Sequence, residues 1–115
     1  MRIWKGIDQL LKLIYICKIN SISILKILIN SPCSASYIIQ HGIKSWPIWE
    51  SEPRTFEWKY YEREICLILE GNATLITQEN ITYNIKPGDL VTFPKNLNCT
   101  WTINKRLRKH FRLGD

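Results

Sequence analysis

Two textures divide the chain. Up to about residue 36, apolar positions recur at helical spacing. Ile3, Ile7, Leu10, Leu11 and Ile14 fall on one face, with Lys5, Asp8, Gln9 and Lys12 elsewhere on the wheel. Ser21 to Leu25 drifts toward alternation, so helix and strand both stay open there. From residue 37 the pattern changes to short alternating runs: Thr55–Tyr61, Glu64–Glu70, Ala73–Glu79, Ile81–Ile85, Leu90–Phe93, Cys99–Asn104 and Leu107–Leu113. Turn signals part them at Gly71-Asn72, Glu79-Asn80, Lys86-Pro87-Gly88-Asp89 and 94–98. Pro47 removes a donor and biases Trp46 away from helix, so Trp46 to Glu50 reads as an extended edge segment. Short strands at such spacing predict an all-β, antiparallel sandwich or barrel over residues 37–115, with residues 1–36 as an N-terminal extension.

Charge sharpens that division. The net charge is +6, yet residues 1–36 hold five cations against one acid, while residues 37–115 hold eleven cations against nine acids. The predicted barrel is thus nearly balanced, and the basic character is no argument for a nucleic-acid partner. The run Lys105 to Arg112 reads as a final strand with a cationic outer face rather than as a nucleic-acid strip. Lys12, Lys18 and Lys26 interrupt the apolar stretch, which excludes a transmembrane span there. Three readings stay open for residues 1–36: an amphipathic extension, a targeting segment ending near Ser34-Ala35-Ser36, or a stretch outside the mature protein. Cys17, Cys33, Cys66 and Cys99 show neither a CxxC pair nor zinc-like spacing, which points to reduced thiols and the cytoplasm. A transit segment would instead place the protein in an organelle such as a plastid. The sequons at Asn72, Asn80 and Asn98 sit in or beside predicted strands and read as accidental.

Five blocks in order carry a resemblance: Ile43 to Glu50, Phe56 to Tyr60, Glu64 to Gly71, Gly88 to Pro94, and Cys99 to Trp101, with Arg108 to Phe111 closing the chain. They resemble the small single-domain cupins grouped with the cupin domain of (S)-ureidoglycine aminohydrolase. The likeness implies an RmlC-like jelly-roll β-barrel with a central pocket. It does not imply one reaction, because this fold serves enzymes, storage proteins and sugar-binding modules alike.

The resemblance also marks four places where cupins commonly carry metal ligands. Glu64 and Gly71 keep their positions in the first motif, but Trp58 and Tyr60 stand at its two histidine places, and Cys99 at the histidine of the second motif. One carboxylate with a thiol and a phenol is a poor donor set for Mn²⁺ or Fe²⁺, and two candidate ligands do not make a zinc site. No metal or other cofactor is therefore expected.

Strand parity then selects a candidate pocket. If Trp58, Tyr60, Glu64 and Cys99 occupy the ligand places that the resemblance implies, all four point inward, and Trp101 shares the parity of Cys99. Leu107, Lys109, Phe111 and Leu113 form one face of the last strand; Arg106, Arg108, His110 and Arg112 form the opposite, solvated one. A buried Lys109 needs a partner. It either pairs with Glu64, flanks an anionic ligand opposite Glu64, or snorkels to the rim. Cys99 is either an inert buried thiol or a nucleophile whose base is His110, although parity turns His110 away. Trp46, Trp49, Trp58 and Trp101 offer a stacking pocket, and an exposed Trp46 and Trp49 would suit a homodimer interface.

Three functions remain open on these residues. The first is metal-independent binding of a small molecule by Trp58, Tyr60, Glu64, Cys99, Trp101 and Lys109. The second is an enzyme acting on a small metabolite, of the ureidoglycine aminohydrolase-like hydrolase or isomerase type, with Glu64 as acid or base and Lys109 fixing an anion. The third is a structural or partner-binding barrel.

Overall fold

A computed structural model describes residues 25–114. The helical reading of residues 3–14 and the cysteine at position 17 lie outside the described residues. Seven strands follow in order: β1 (Leu28–Asn30), β2 (Ile48–Ser51), β3 (Arg54–Lys59), β4 (Glu64–Thr77), β5 (Thr82–Ile85), β6 (Leu90–Phe93) and β7 (Asn98–Leu113). A short helix α1 (Ala35–Gln40) and a 3-10 turn (Ile43–Ser45) lie between β1 and β2. All pairings are antiparallel.

Two long strands organise everything else. β4 and β7 pair from Glu64↔Leu113 to Thr77↔Cys99. The first half of β4 also pairs with β6, and β6 with β1, while the second half of β7 pairs with β2. The second half of β4 pairs with β5, and the first half of β7 with β3. The sheet is thereby folded into two wings. The inner faces of both contribute to a single core, with Cys66, Ile68, Val91, Phe93 and Leu107 from one wing and Ala73, Leu75, Ile85, Trp101 and Ile103 from the other. This is the expected all-β jelly-roll barrel.

The fold occurs where β4 and β7 shift register, between Ile68 and Ala73. Gly71 has φ +80°, and a Cβ on it would run into the carbonyl oxygens of Arg106 and Lys105. Only glycine allows both the left-handed backbone and that close approach. Sequence alone reads Gly71-Asn72 as a turn between two strands. It is instead a bend inside one strand, and the same holds for the break expected between Asn104 and Leu107 in β7.

The Pro87-Gly88 turn is as expected. Gly88 has φ +93°, and Asp89 N donates to Lys86 O at 3.1 Å. The fully buried Asp89 carboxylate closes the turn by accepting from Lys86 N at 3.0 Å and Lys86 Nζ at 3.3 Å. Gly88 N and Asp89 O then bond to Ile68 across the sheet.

A second cluster covers the outside of one wing. Leu67 and Leu90 face outward there and are buried with Cys33 and Ile43, against Tyr37, Ile38 and Trp46. Helix α1 supplies Tyr37 and Ile38, and starts where the Ser34 side chain accepts from Tyr37 N at 3.1 Å. This layer corrects the sequence reading of His110. It does face away from the barrel interior, but it is buried under the layer and its Nδ1 lies 2.9 Å from Trp46 O. Residues assigned to the extension take part as well: β1 pairs with β6, and Ile27 is buried in the main core. On the uncovered part of that face, Arg106 and Arg108 are ion-paired with Glu50 and Glu52 at 2.9 Å.

Substituting Gly71→Ala is expected to destabilise the protein by about 3 kcal/mol, through backbone strain and the clash with the Arg106 carbonyl. Urea unfolding followed by tryptophan emission reads it; a change of a few tenths would remove Gly71 as the hinge of the fold.

Candidate functional site

Strand parity brings a set of side chains into the barrel. Glu64 opens β4 on the inner face, opposite Phe93 of β6. Lys109 lies on β7 between Ile68 of β4 and Trp49 of β2. Its Nζ donates to Glu64 Oε2 at 2.7 Å, and both side chains are at most 9% exposed. The burial of both groups excludes the snorkelling alternative, and the two meet as a direct pair. Three aromatic rings surround the ammonium, with centroids at 4.9 Å for Trp101, 5.1 Å for Trp49 and 5.9 Å for Phe93. Ring faces and a carboxylate both attract a cation held at this place.

Tyr60 sits just before β4 and is held by its backbone. Its N–H donates to Leu97 O at 2.9 Å, and its carbonyl accepts from Asn96 N at 2.7 Å. Its ring stacks on Phe93 at 4.6 Å, and its hydroxyl accepts from Trp101 Nε1 at 3.2 Å. Burial, and then the neighbouring Glu64 charge, push its ionisation well above the ordinary range, so it remains a phenol.

These groups border a cleft of about 610 Å³ with Lys109 and Glu64 in its wall, together with Trp49, Phe56, Trp101 and Phe111. Phe56 stacks parallel to Trp101 at 5.9 Å, and Trp49 meets both rings at an angle. Arg54, Lys59 and Tyr61 lie toward solvent, with the Arg54 guanidinium 4.4 Å over the Phe56 ring. Trp58 is 53% exposed, so it stands at the rim rather than in the depth that its parity allows. Sequence reading put Phe111 on the Lys109 face of the last strand but did not pick out Phe56 or Phe93. Phe56 could have been found by the same parity, since it precedes Trp58 by two; Phe93 is brought in by its pairing with Glu64 across strands.

Cys99 is buried but does not border this cleft. It borders a shallower one with Trp58, Gln78 and Asn98. Burial raises its pKa to about 11 and that of Cys66 to about 12. His110 lies on the far side of the sheet, so the geometry supplies Cys99 with no base from that residue. The aromatic set also differs from the one expected. Trp49 joins the cleft, whereas Trp46 packs in the outer layer; both are half-buried, so neither is the exposed plate expected for a homodimer.

The side chains at the four ligand places do not fit a divalent ion. Trp58 offers no lone pair, Cys99 borders a different cleft from Tyr60 and Glu64, and Glu64 is already bonded to Lys109 Nζ. Among the described residues no three His, Cys, Asp or Glu side chains gather closely enough to hold a metal. Among the same residues no helix is long and apolar enough to cross a membrane.

A jelly-roll barrel with such a pocket defines a cupin. Residues 39–111 match the family model of the EutQ-like cupin domain, and the chain belongs to that family. A crystal structure of a DUF861 family protein from Thermotoga maritima is similar at 39% identity, over 76% of this chain and 99% of that one, with a TM-score of 0.75. The EutQ protein of Clostridium difficile shares the fold at 19% identity and a TM-score of 0.54, over 58% of this chain and 52% of its own. A DUF861 family protein of unknown function from Pseudomonas syringae pv. tomato does so at 22% identity and 0.54, over 57% and 28%. No curated protein matches. These matches show the EutQ-like cupin family and do not single out the ureidoglycine aminohydrolase group within it.

Two outcomes follow from the buried groups. Lys109→Met leaves Glu64 buried without its partner and is expected to cost about 3 kcal/mol of stability, most of it regained in Lys109→Met/Glu64→Gln; denaturant unfolding of both variants checks this. At pH 8 the native Cys99 thiol is ionised to roughly one part in a thousand, against about a quarter in an unfolded chain. Alkylation of Cys66 and Cys99 in the folded protein should therefore run at least a hundredfold slower than in urea. The sign for stability follows: it is complete below about pH 8.5 and falls as pH rises toward the raised folded values.

Proposed function

We propose that this cupin binds a small planar molecule in the aromatic-walled cleft, without a metal. One observation carries the reading: a buried Lys109–Glu64 pair faces a cavity of about 610 Å³ whose other walls are largely aromatic rings. Ligand sites combine apolar walls with a few fixed polar groups, and the cleft has that make-up. The walls contribute stacking area, and the pair contributes orientation. The residues assigned to the task are Tyr60, Glu64, Trp101 and Lys109, joined by Trp49 and Phe56, with Trp58 at the rim. Cys99 is left out of it. The enzymatic alternative, with Glu64 as acid or base, gains nothing from a carboxylate already tied to an ammonium. Among the described residues Cys33, Cys66 and Cys99 form no disulfide with one another, which suits a reducing compartment such as the cytoplasm.

The test is quenching of tryptophan emission by a panel of small planar aromatics, on protein stripped with a chelator. Saturable binding is expected, unchanged by added Mn²⁺ or Zn²⁺. Trp49→Ala should weaken it about tenfold, the worth of one stacking wall. Binding that appears only with added metal, or that ignores Trp49→Ala, would sink the proposal.

A further inference from the structure

The polar part of the cleft is more specific than a pair of opposite charges. The Lys109 ammonium carries three protons and gives one to Glu64 Oε2. Glu64 takes that bond on one oxygen. Its other oxygen, Oε1, has no hydrogen-bond partner among the described residues, and Glu64 lines the cleft. A ligand lying against the pair thus meets a donor and an acceptor side by side, both charged and both short of water.

Each simple ligand class fails against one half of this dyad. A carboxylate that reaches Lys109 sets its second oxygen against Glu64, and like charges in a dry site repel strongly. An amine that reaches Glu64 meets the Lys109 ammonium in the same way. A hydrocarbon strips water from both groups and returns no hydrogen bond. A group with a carbonyl oxygen next to an N–H satisfies both at once and brings no net charge into the cavity. The walls add a second requirement, because Trp49, Phe56 and Trp101 reward a flat ring over a flexible chain.

We propose that the ligand class is a neutral planar ring bearing a cis-amide edge, as in a pyridone or pyrimidinone. Its carbonyl oxygen accepts from Lys109 Nζ, and its ring N–H donates to Glu64 Oε1. This rests on the cleft being a binding site at all, and deepens that reading by naming what it selects.

Ligand-observed NMR titration at pH 7 tests it with four probes: 2-pyridone, N-methyl-2-pyridone, benzoate and benzylamine. 2-Pyridone is expected to bind at least tenfold tighter than each of the others, because N-methylation removes the donor and the two charged rings each oppose one member of the dyad. In Lys109→Met/Glu64→Gln, checked for folding by its thermal transition, the spread among the probes should shrink to about twofold. Benzoate or the N-methyl ring binding as well as 2-pyridone would overturn the amide selectivity while leaving small-molecule binding intact. A preference for 2-pyridone that persists in the double variant would overturn the assignment to Lys109 and Glu64. Failure of all four probes to bind at millimolar concentration would overturn both readings.

Discussion

The pairing of β4 with β7, bent at Gly71, is the constraint on which the rest of the structure depends. Each of these strands serves both wings of the barrel, so each must turn through the corner without losing its partner. Gly71 permits this because its backbone lies almost against the Arg106 carbonyl, where no side chain fits. With the corner made, β6 and β1 extend one wing, β5 and β3 extend the other, and β2 closes alongside β7. The inner faces then share one core instead of forming two open sheets, each with a wet side.

The corner also decides what chemistry the interior can hold. Lys109 from β7 and Glu64 from the start of β4 are separated by 45 positions in sequence, yet meet at 2.7 Å in a space lined by rings. A lone buried ammonium or carboxylate would cost several kcal/mol, so each stabilises the other's presence there. Around them the titratable groups are kept neutral. Tyr60 remains a phenol, and Cys66 and Cys99 remain thiols, in each case chiefly through burial. The cleft is therefore polar at one spot and apolar elsewhere. The ammonium of Lys109 is the positive charge that answers the Glu64 carboxylate in this cupin.

The outer layer serves the site indirectly. Helix α1 and the 3-10 turn bury Leu67 and Leu90, and the Trp46 carbonyl engages His110. His110 neighbours Lys109 on β7, so this contact fixes the strand from behind while Lys109 faces the cleft. The exposed Arg106 and Arg108 pairs with Glu50 and Glu52 add little energy of their own, but they fit the β2–β7 register that sets Trp49 opposite Lys109.

Much of this was legible in the chain because strand periodicity is local. Alternation announced the strands, Pro87-Gly88 their tightest turn, and parity, anchored on the cupin-like motif positions, sent Glu64, Tyr60, Trp101 and Lys109 inward. Parity gives a face but neither depth nor cover. It could not tell that Trp58 stands at the rim, that Cys99 borders a different cleft, or that Trp49 rather than Trp46 joins the rings. It placed His110 on the outer face correctly and missed its burial, because that depends on the segment at Trp46, 64 positions earlier, packing against it. Gly71-Asn72 looked like a turn because the same freedom of φ serves a turn and a strand bend; only the backbone of Lys105 and Arg106 packed against it distinguishes the two. The sequence by itself thus determined the strands, their faces and the barrel class. The depth of each side chain, and the direct meeting of Lys109 with Glu64, were decided by how two distant halves of β4 and β7 bend around one another.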